Sequence, residues 1–310
     1  LINPDTGKMG HHHDHTHSHT HDHGLADTGN IKVAFFLNLV FTLIELVGGI
    51  LTNSVAILSD ALHDLGDSLS LGLAWYFQKL SKKGRNRAFS YGYKRFSLFG
   101  AIINSIVLVI GSVIILMETI PRLANPEAPD AKGMIFLAIL GVVVNGAAVL
   151  RLKKGDSLNE RVVSLHLLED VLGWVAVLIG AIVMFFFDLP IIDPILSILI
   201  AAYVLFNVYR NLKTTFFIVM QGVPSETDLQ TIRDYLLSVE GVNDIHDLHV
   251  WSMDGNYNVL TVHLTISEDK LIEELSELKK VIRHSLLDLG IAHATLEFEI
   301  ESEKCVLIDC

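Results

Sequence analysis

SVAILSDALHDLGDSLSLGLAWYF, residues 54–77, has the length and apolar content of a membrane-crossing helix, yet Asp60, His63, Asp64 and Asp67 interrupt it. A second stretch, VVSLHLLEDVLGWVAVLIGAIVMFFF at 162–187, carries His166 and Asp170 in the same His-x-x-x-Asp spacing. A separation of four brings two side chains onto one helix face, about one turn apart. An ionisable group deep in hydrocarbon costs roughly 2.5–3.5 kcal/mol on insertion scales, so by default it marks a pathway or a site. Two such helices side by side offer two imidazoles and two carboxylates to one ion, a donor set suited to tetrahedral Zn²⁺. The competing reading is a polar network that only holds helices together, but such networks draw mostly on Ser, Thr, Asn and Gln.

Outward from these two stretches, the apolar residues fall into six blocks, at 31–52, 55–79, 97–121, 132–152, 162–187 and 191–212. Each approaches the roughly 20 residues needed to cross about 30 Å of hydrocarbon. The 310 residues are 51% hydrophobic and only 19% charged, with a mean hydropathy of +0.46. The basic residues alternate sides. Lys79, Lys82, Lys83, Arg85, Arg87, Lys94, Arg95, Arg151, Lys153, Lys154, Arg161, Arg210 and Lys213 occupy one set of loops, against Arg122 and Lys132 in the other. The positive-inside rule puts the first set, and both termini, in the cytoplasm. The net charge of −12 gives no reason to expect a nucleic-acid partner. No cleavable signal peptide is visible, because the first apolar run is too long and follows a polar leader.

Residues 1–30 hold eight of the 15 histidines, interleaved with Asp, Ser and Thr. The segment has nothing apolar to pack, so it reads as a disordered cytoplasmic metal-collecting leader rather than an ordered site. After Gly222 the patterning becomes that of a soluble domain. It comprises a helix at 226–239 capped by Ser225, strands at 242–251 and 257–266 around a DGNY turn, a helix at 268–289 and a strand at 293–300. The expected architecture is an α-helical membrane protein. Six transmembrane helices at 31–213 precede a small αββαβ cytoplasmic α+β domain at 222–310.

In the second block Asp60, His63 and Asp67 lie within about 100° of arc. Asp64, about 100° from His63 by the same geometry, either lines the same cavity or pairs elsewhere. Glu45, Asn38, Asn104 and Asn145 read as helix–helix hydrogen-bonding groups, and Asn53 as turn chemistry. Four protein ligands would leave Zn²⁺ no open position for an activated water. With neither a His-Glu-x-x-His nor a P-loop pattern present, metal-assisted hydrolysis and ATP-driven pumping lack their signatures. A secondary transporter follows, with proton antiport as the coupling, since metal must displace protons from its ligands. The rival is a membrane receptor or store that binds zinc without moving it.

LTNSVAILSDALHDLGDSLSL (51–71), FSYGYKRFSL (89–98), HLLEDVLGW (166–174) and IHDLHVWSM (245–253) together resemble the cation diffusion facilitator family, in particular its zinc/cobalt/cadmium-resistance branch of bacterial exporters. The resemblance spans about residues 31–300. It implies homodimers in the bacterial inner membrane that export divalent metal, Zn²⁺ with Co²⁺ or Cd²⁺ as further cargo, in exchange for protons. By it, His63, Asp67, His166 and Asp170 match the transport ligands, and His with Asp in the second helix is similar to zinc-preferring members. Imidazole favours Zn²⁺, whereas an oxygen-rich set suits Mn²⁺ better. In the tail, His246, His263 and His293 match positions that bind regulatory zinc, with Glu299 as a fourth ligand. From the residues alone, His246 and His263 on neighbouring strands either approach each other or merely decorate a polar face. His249, at an odd offset from His246, is expected on the opposite face of its strand. Cys305 and Cys310 either add thiolates or belong to a frayed tail. The basic loop QKLSKKGRNRAFSYGYKR (78–95) has no His, Asp or Glu. No metal is expected there; anionic headgroups or a partner's acidic surface are the expected contacts.

Overall fold

The apolar blocks become six long helices: α1 Thr28–Thr52, α2 Val55–Ser81, α3 Phe96–Ala124, α4 Ala131–Leu152, α5 Leu158–Phe187 and α6 Ile192–Val219. The computed structural model describes residues 28–152, 158–267 and 271–303, without the side chains of 28–35, 37, 75, 78, 151–152 and 158–166. Nearly all of the His-rich leader, Cys305, Cys310 and the side chain of His166 therefore lie outside the described residues. Among those described, α3, α4, α5 and α6 are each long and apolar enough to cross a membrane. The other two differ. Asp60, Asp64 and Asp67 interrupt α2, and the apolar run described in α1 is the shorter Asn38–Thr52.

The outward faces of these helices expose Ile106, Ile110, Ile114 and Met117 on α3 and Phe136, Ile139 and Val143 on α4. Continuous apolar surface of this kind is costly in water and natural in lipid, where a helix also satisfies its own backbone. This is an integral membrane protein. At the centre of the bundle α2 packs against α1, α3 and α6, while α4 lies along α5 and α1. Small residues permit the close approach. A Cβ at Gly66 would come 2.3 Å from Leu108 of α3, and one at Gly111 of α3 would come 2.3 Å from Leu62 of α2.

Helix α6 runs on to Val219, beyond the end of its apolar block, and leads to the small domain: α7 Leu229–Ser238, β1 Val242–Ser252, β2 Asn258–Ile266, α8 Ile272–Asp288 and β3 Ile291–Ile300. The order αββαβ is as expected, with later starts for both helices. The cap of α7 is Asp228, which accepts from the Gln230 N–H at 3.0 Å, rather than Ser225. β1 pairs antiparallel with β2, and β2 pairs parallel with β3. Ile232 and Leu236 of α7 and Ile282 and Leu286 of α8 pack with Ile245, Leu260, Val262, Leu264 and Ile291 of the sheet. The helices thus cover one sheet face, and the other is left for polar groups.

Candidate metal centres

On α2, residues 60, 63, 64 and 67 recur at helical spacing, so one stripe carries an imidazole and three carboxylates into the bundle. His63 Nε2 stands 3.5 Å from Asp67 Oδ2. Ligand atoms of His63, Asp64 and Asp170 of α5 lie within 4.8 Å of one another. Asp64 and Asp170 are buried, and His63 is partly so. Asp64 therefore lines the same space as His63, which settles the choice left open by its angle on the helix. A cavity of about 180 Å³ opens from the pair, lined by His63, Asp67, Ser70, Asn104, Glu169 and Asn207 among others. It runs toward the end of the bundle that bears the basic loop. Tyr203 closes over His63, its ring 6.4 Å from the imidazole, and its hydroxyl donates to Glu169 Oε2 at 3.0 Å.

The single polar residues divide differently from the expectation. The Asn38 amide does reach Ser68 Oγ of α2, at 3.5 Å. Asn104 instead walls the cavity. Glu45 is fully buried. Its carboxyl faces the Trp174 indole of α5 and Asp64 of α2, with Asp60 and Asp170 nearby, so it meets two neighbouring helices and also extends the acidic layer beneath the site.

At the far end of the bundle α2, α3 and α6 are joined by buried hydrogen bonds. Asp193, buried in the first turn of α6, accepts from the Ser54 hydroxyl at 2.5 Å, the Val55 N–H at 2.9 Å and the Ala56 N–H at 3.3 Å. These are unpaired donors of the α2 N-terminus, where a carboxylate also meets the favourable end of the helix dipole. Thr119 and Ser197 hydroxyls meet at 3.0 Å one turn further in. Asn53 takes its turn conformation with φ 52°, and it also accepts from Arg122 at its carbonyl and side-chain oxygens, each at 3.0 Å.

A second cluster sits on the uncovered sheet face. His263 Nδ1 is 2.6 Å and His246 Nε2 3.1 Å from the two Glu299 oxygens. The imidazole centroids lie 5.2 Å apart, and one ligand atom from each of the three residues falls within 4.8 Å of the others. His246 and His263 thus approach each other, the first of the two alternatives. His249 overturns the parity argument. His246 pairs with His263 and His249 with Thr261, so two residues of β1 oppose one of β2 in a bulge. Asp247, at φ 50°, occupies it. The extra residue restores His249 to the face of His246. Asp247 then links His249, at 2.8 Å, to His263, at 3.6 Å. His293 lies elsewhere, paired with Val259 at the start of β3 and edge-on to Tyr91 at 5.6 Å.

Residues 31–220 match the cation efflux transmembrane domain, and residues 224–299 match the cytoplasmic domain of cation efflux proteins. The chain belongs to the cation efflux family. It is 36% identical over 300 residues to the cadmium, cobalt and zinc/H(+)-K(+) antiporter of Bacillus subtilis, covering 96% of this chain and 94% of that one. It is 32% identical to the metal cation efflux system protein CzcD of Cupriavidus metallidurans (94% and 90% covered). It is 30% identical to the zinc transporter ZitB of Yersinia pseudotuberculosis (92% and 91% covered). The resemblance to cation diffusion facilitators is thereby confirmed, and this cation efflux protein is a transporter, not an enzyme. Three features of it were missed in the linear sequence. Asp247 depends on a bulge, Glu169 on its partner Tyr203, and Asp193 on the distant α2 terminus. For Asp193 a signal existed, a carboxylate followed by Pro194 at the head of an apolar block.

Proposed function

We propose that the protein is a proton-coupled secondary transporter that exports Zn²⁺, with Co²⁺ or Cd²⁺ as further cargo, from the cytoplasm by alternating access. Its cargo site is His63, Asp67, His166 and Asp170, with Asp64 beside them. The observation that carries this reading is the joining of His63, Asp64 and Asp170 from two helices, beside a polar cavity that His63 and Asp67 line. All six helices cross the membrane in it, over residues 31–213. The leader 1–30 and the domain 222–310 are cytoplasmic, as the basic loops require, and the membrane is the bacterial inner membrane.

The mechanism follows from the donor chemistry. A histidine ligand must be neutral and an aspartate ionised to hold the metal, so loading releases protons and protonation expels the ion. Imidazole, ordinarily near pKa 6.5, is suited to that exchange across a physiological gradient. With the basic loop inside, the cavity faces the cytoplasm and the Asp193 joint closes the outer end, the loading half of the cycle. The sheet cluster His246, His263 and Glu299 is the regulatory zinc site, in a domain through which two copies associate. The relatives' printed activities, antiport and zinc transport, support this coupling and cargo.

The test is Zn²⁺ flux in proteoliposomes with and without a proton gradient, beside His166→Ala and Asp67→Ala. Gradient-dependent flux lost in both variants is expected. Stoichiometric zinc binding by folded protein with no flux would overturn transport in favour of a receptor, and flux indifferent to the gradient would overturn the coupling.

A further inference from the structure

The loop between α2 and α3 carries charge that the proposed transport does not use. It forms one wall of a cavity of about 540 Å³, the other wall coming from the sheet domain. Lys82, Lys83, Arg85 and Lys94 line one side, Tyr257 and His293 the other, and no carboxylate is among the lining residues. Among the described residues, none of these four cations makes an ion pair. So concentrated a field of one sign, with no carboxylate in its lining, is arranged for a counter-charge from outside the fold.

The cavity is built rather than frayed. Asn86 Oδ1 accepts from the Ala88 and Phe89 amides at 2.9 and 2.8 Å, and its own amide reaches Tyr93 Oη at 2.8 Å. Gly92 turns the loop back at φ +74°, where a Cβ would lie 2.9 Å from the Lys83 carbonyl. The Lys94 ammonium sits 3.9 Å over the Tyr257 ring, and Tyr91 stands against His293. Burial, and then Tyr91 and Asp254 nearby, push the Tyr257 phenol up from its usual range, so it stays a neutral donor. A preset ring of cations and phenols loses little freedom on binding.

We propose that this cavity binds a phosphate-bearing anion, clamped between the membrane domain and the sheet domain. Phosphate oxygens take charge-assisted bonds from guanidinium and ammonium groups together. The volume is within the range of small-molecule sites. The loop is bracketed by the end of α2 at Ser81 and the start of α3 at Phe96, the depth of lipid headgroups. An anionic phospholipid and a soluble phosphate ester share the required chemistry. Because β3 supplies His293 and α2 leads into the loop, occupancy ties the metal-bearing helix to the sheet domain.

The experiment titrates purified full-length protein in neutral detergent with dioctanoyl phosphatidylglycerol, dioctanoyl phosphatidylcholine and glycerol 3-phosphate. The same titrations are run on Lys83→Gln/Arg85→Gln and on Lys279→Gln/Lys280→Gln, a charge-matched change on α8. Wild type and the α8 variant should bind phosphatidylglycerol well above phosphatidylcholine. The loop variant should bind about 30-fold more weakly, at roughly a factor of five for each basic residue at a charged interface. Glycerol 3-phosphate binding as tightly as phosphatidylglycerol identifies a soluble ester as the ligand; weak binding identifies the lipid. Equal binding of the two lipids with no glycerol 3-phosphate binding, or a folded loop variant indistinguishable from wild type, would overturn the site. If the loop variant does not fold, acetylation of Lys83 and Lys94 in wild type decides. Protection by the preferred phosphate compound and not by phosphatidylcholine is expected, and its absence would refute the proposal.

Discussion

Replacing Asp193 with asparagine should loosen the joint between α2 and α6 without disturbing the metal-bearing stripe. The carboxylate takes three bonds, from the Ser54 hydroxyl and the Val55 and Ala56 amides, and Oδ2 alone serves Val55 at 2.9 Å. Asparagine keeps one acceptor oxygen for Ser54 and Ala56, but its NH₂ group then faces the Val55 N–H, donor against donor. A hydrogen bond to a charged group contributes about 1.5–3 kcal/mol net, and a neutral one roughly half. One such bond disappears and two weaken, so the joint should lose at least about 3 kcal/mol, a factor of roughly 150 or more in its opening equilibrium. Hydrogen exchange at the Val55 and Ala56 amides of the full-length protein reads this directly, and rates should rise about 100-fold as local opening becomes easier. A cysteine at Ser197, one turn inside the joint, should also become reactive to a membrane-impermeant maleimide. Unchanged exchange at both amides in a folded variant would refute the claim that Asp193 holds this end shut.

Glu299→Gln should weaken zinc binding at the sheet cluster by one to two orders of magnitude, since it removes a carboxylate touching both His246 and His263. Calorimetry on full-length protein lacking the His63 ligand would measure it, and unchanged affinity would remove Glu299 from the site. Gly141→Ala should lower the unfolding midpoint, because its Cβ would come 2.3 Å from the Trp174 ring. Overpacking of that kind costs about 1–3 kcal/mol, so a midpoint equal to wild type in a thermal scan would contradict it. Asp228→Ala should speed amide exchange in the first turn of α7. The Thr231 hydroxyl, and then the Gln230 N–H, hold Asp228 below its usual pKa. Its contribution is therefore present above about pH 3.9 and lost as pH falls through the lowered folded value. The difference from wild type should shrink in acid, and a gap independent of pH would be inconsistent with capping by the charged form.

The His246, His249 and Asp247 arrangement shows where one-dimensional reading stops. Counting along IHDLHVWSM assigns His246 and His249 to opposite faces, because a regular strand alternates. One bulge residue reverses that parity, and pairing with β2 alone reveals it. His293 shows the complementary case. It shares its strand with Glu299, yet six residues of extended chain carry it to the loop of the membrane domain, beside Tyr91.

By itself the sequence determined what periodicity and transfer energy control. Those are six apolar helical blocks, a polar αββαβ domain after them, and a stripe of ionisable groups on α2 whose cost in lipid demanded a use. Only the tertiary structure decided what depends on groups far apart in the chain. It put Asp64 in the space of His63 and Asp170, Glu45 in the acidic layer beneath, and Asp193 under the N-terminus of α2. It also faced the basic loop with Tyr257 and His293. The physical reason is that hydrophobic period is local, whereas donor sets, caps and cavities are made by side chains whose separation along the chain carries no signal until packing and strand register bring them together.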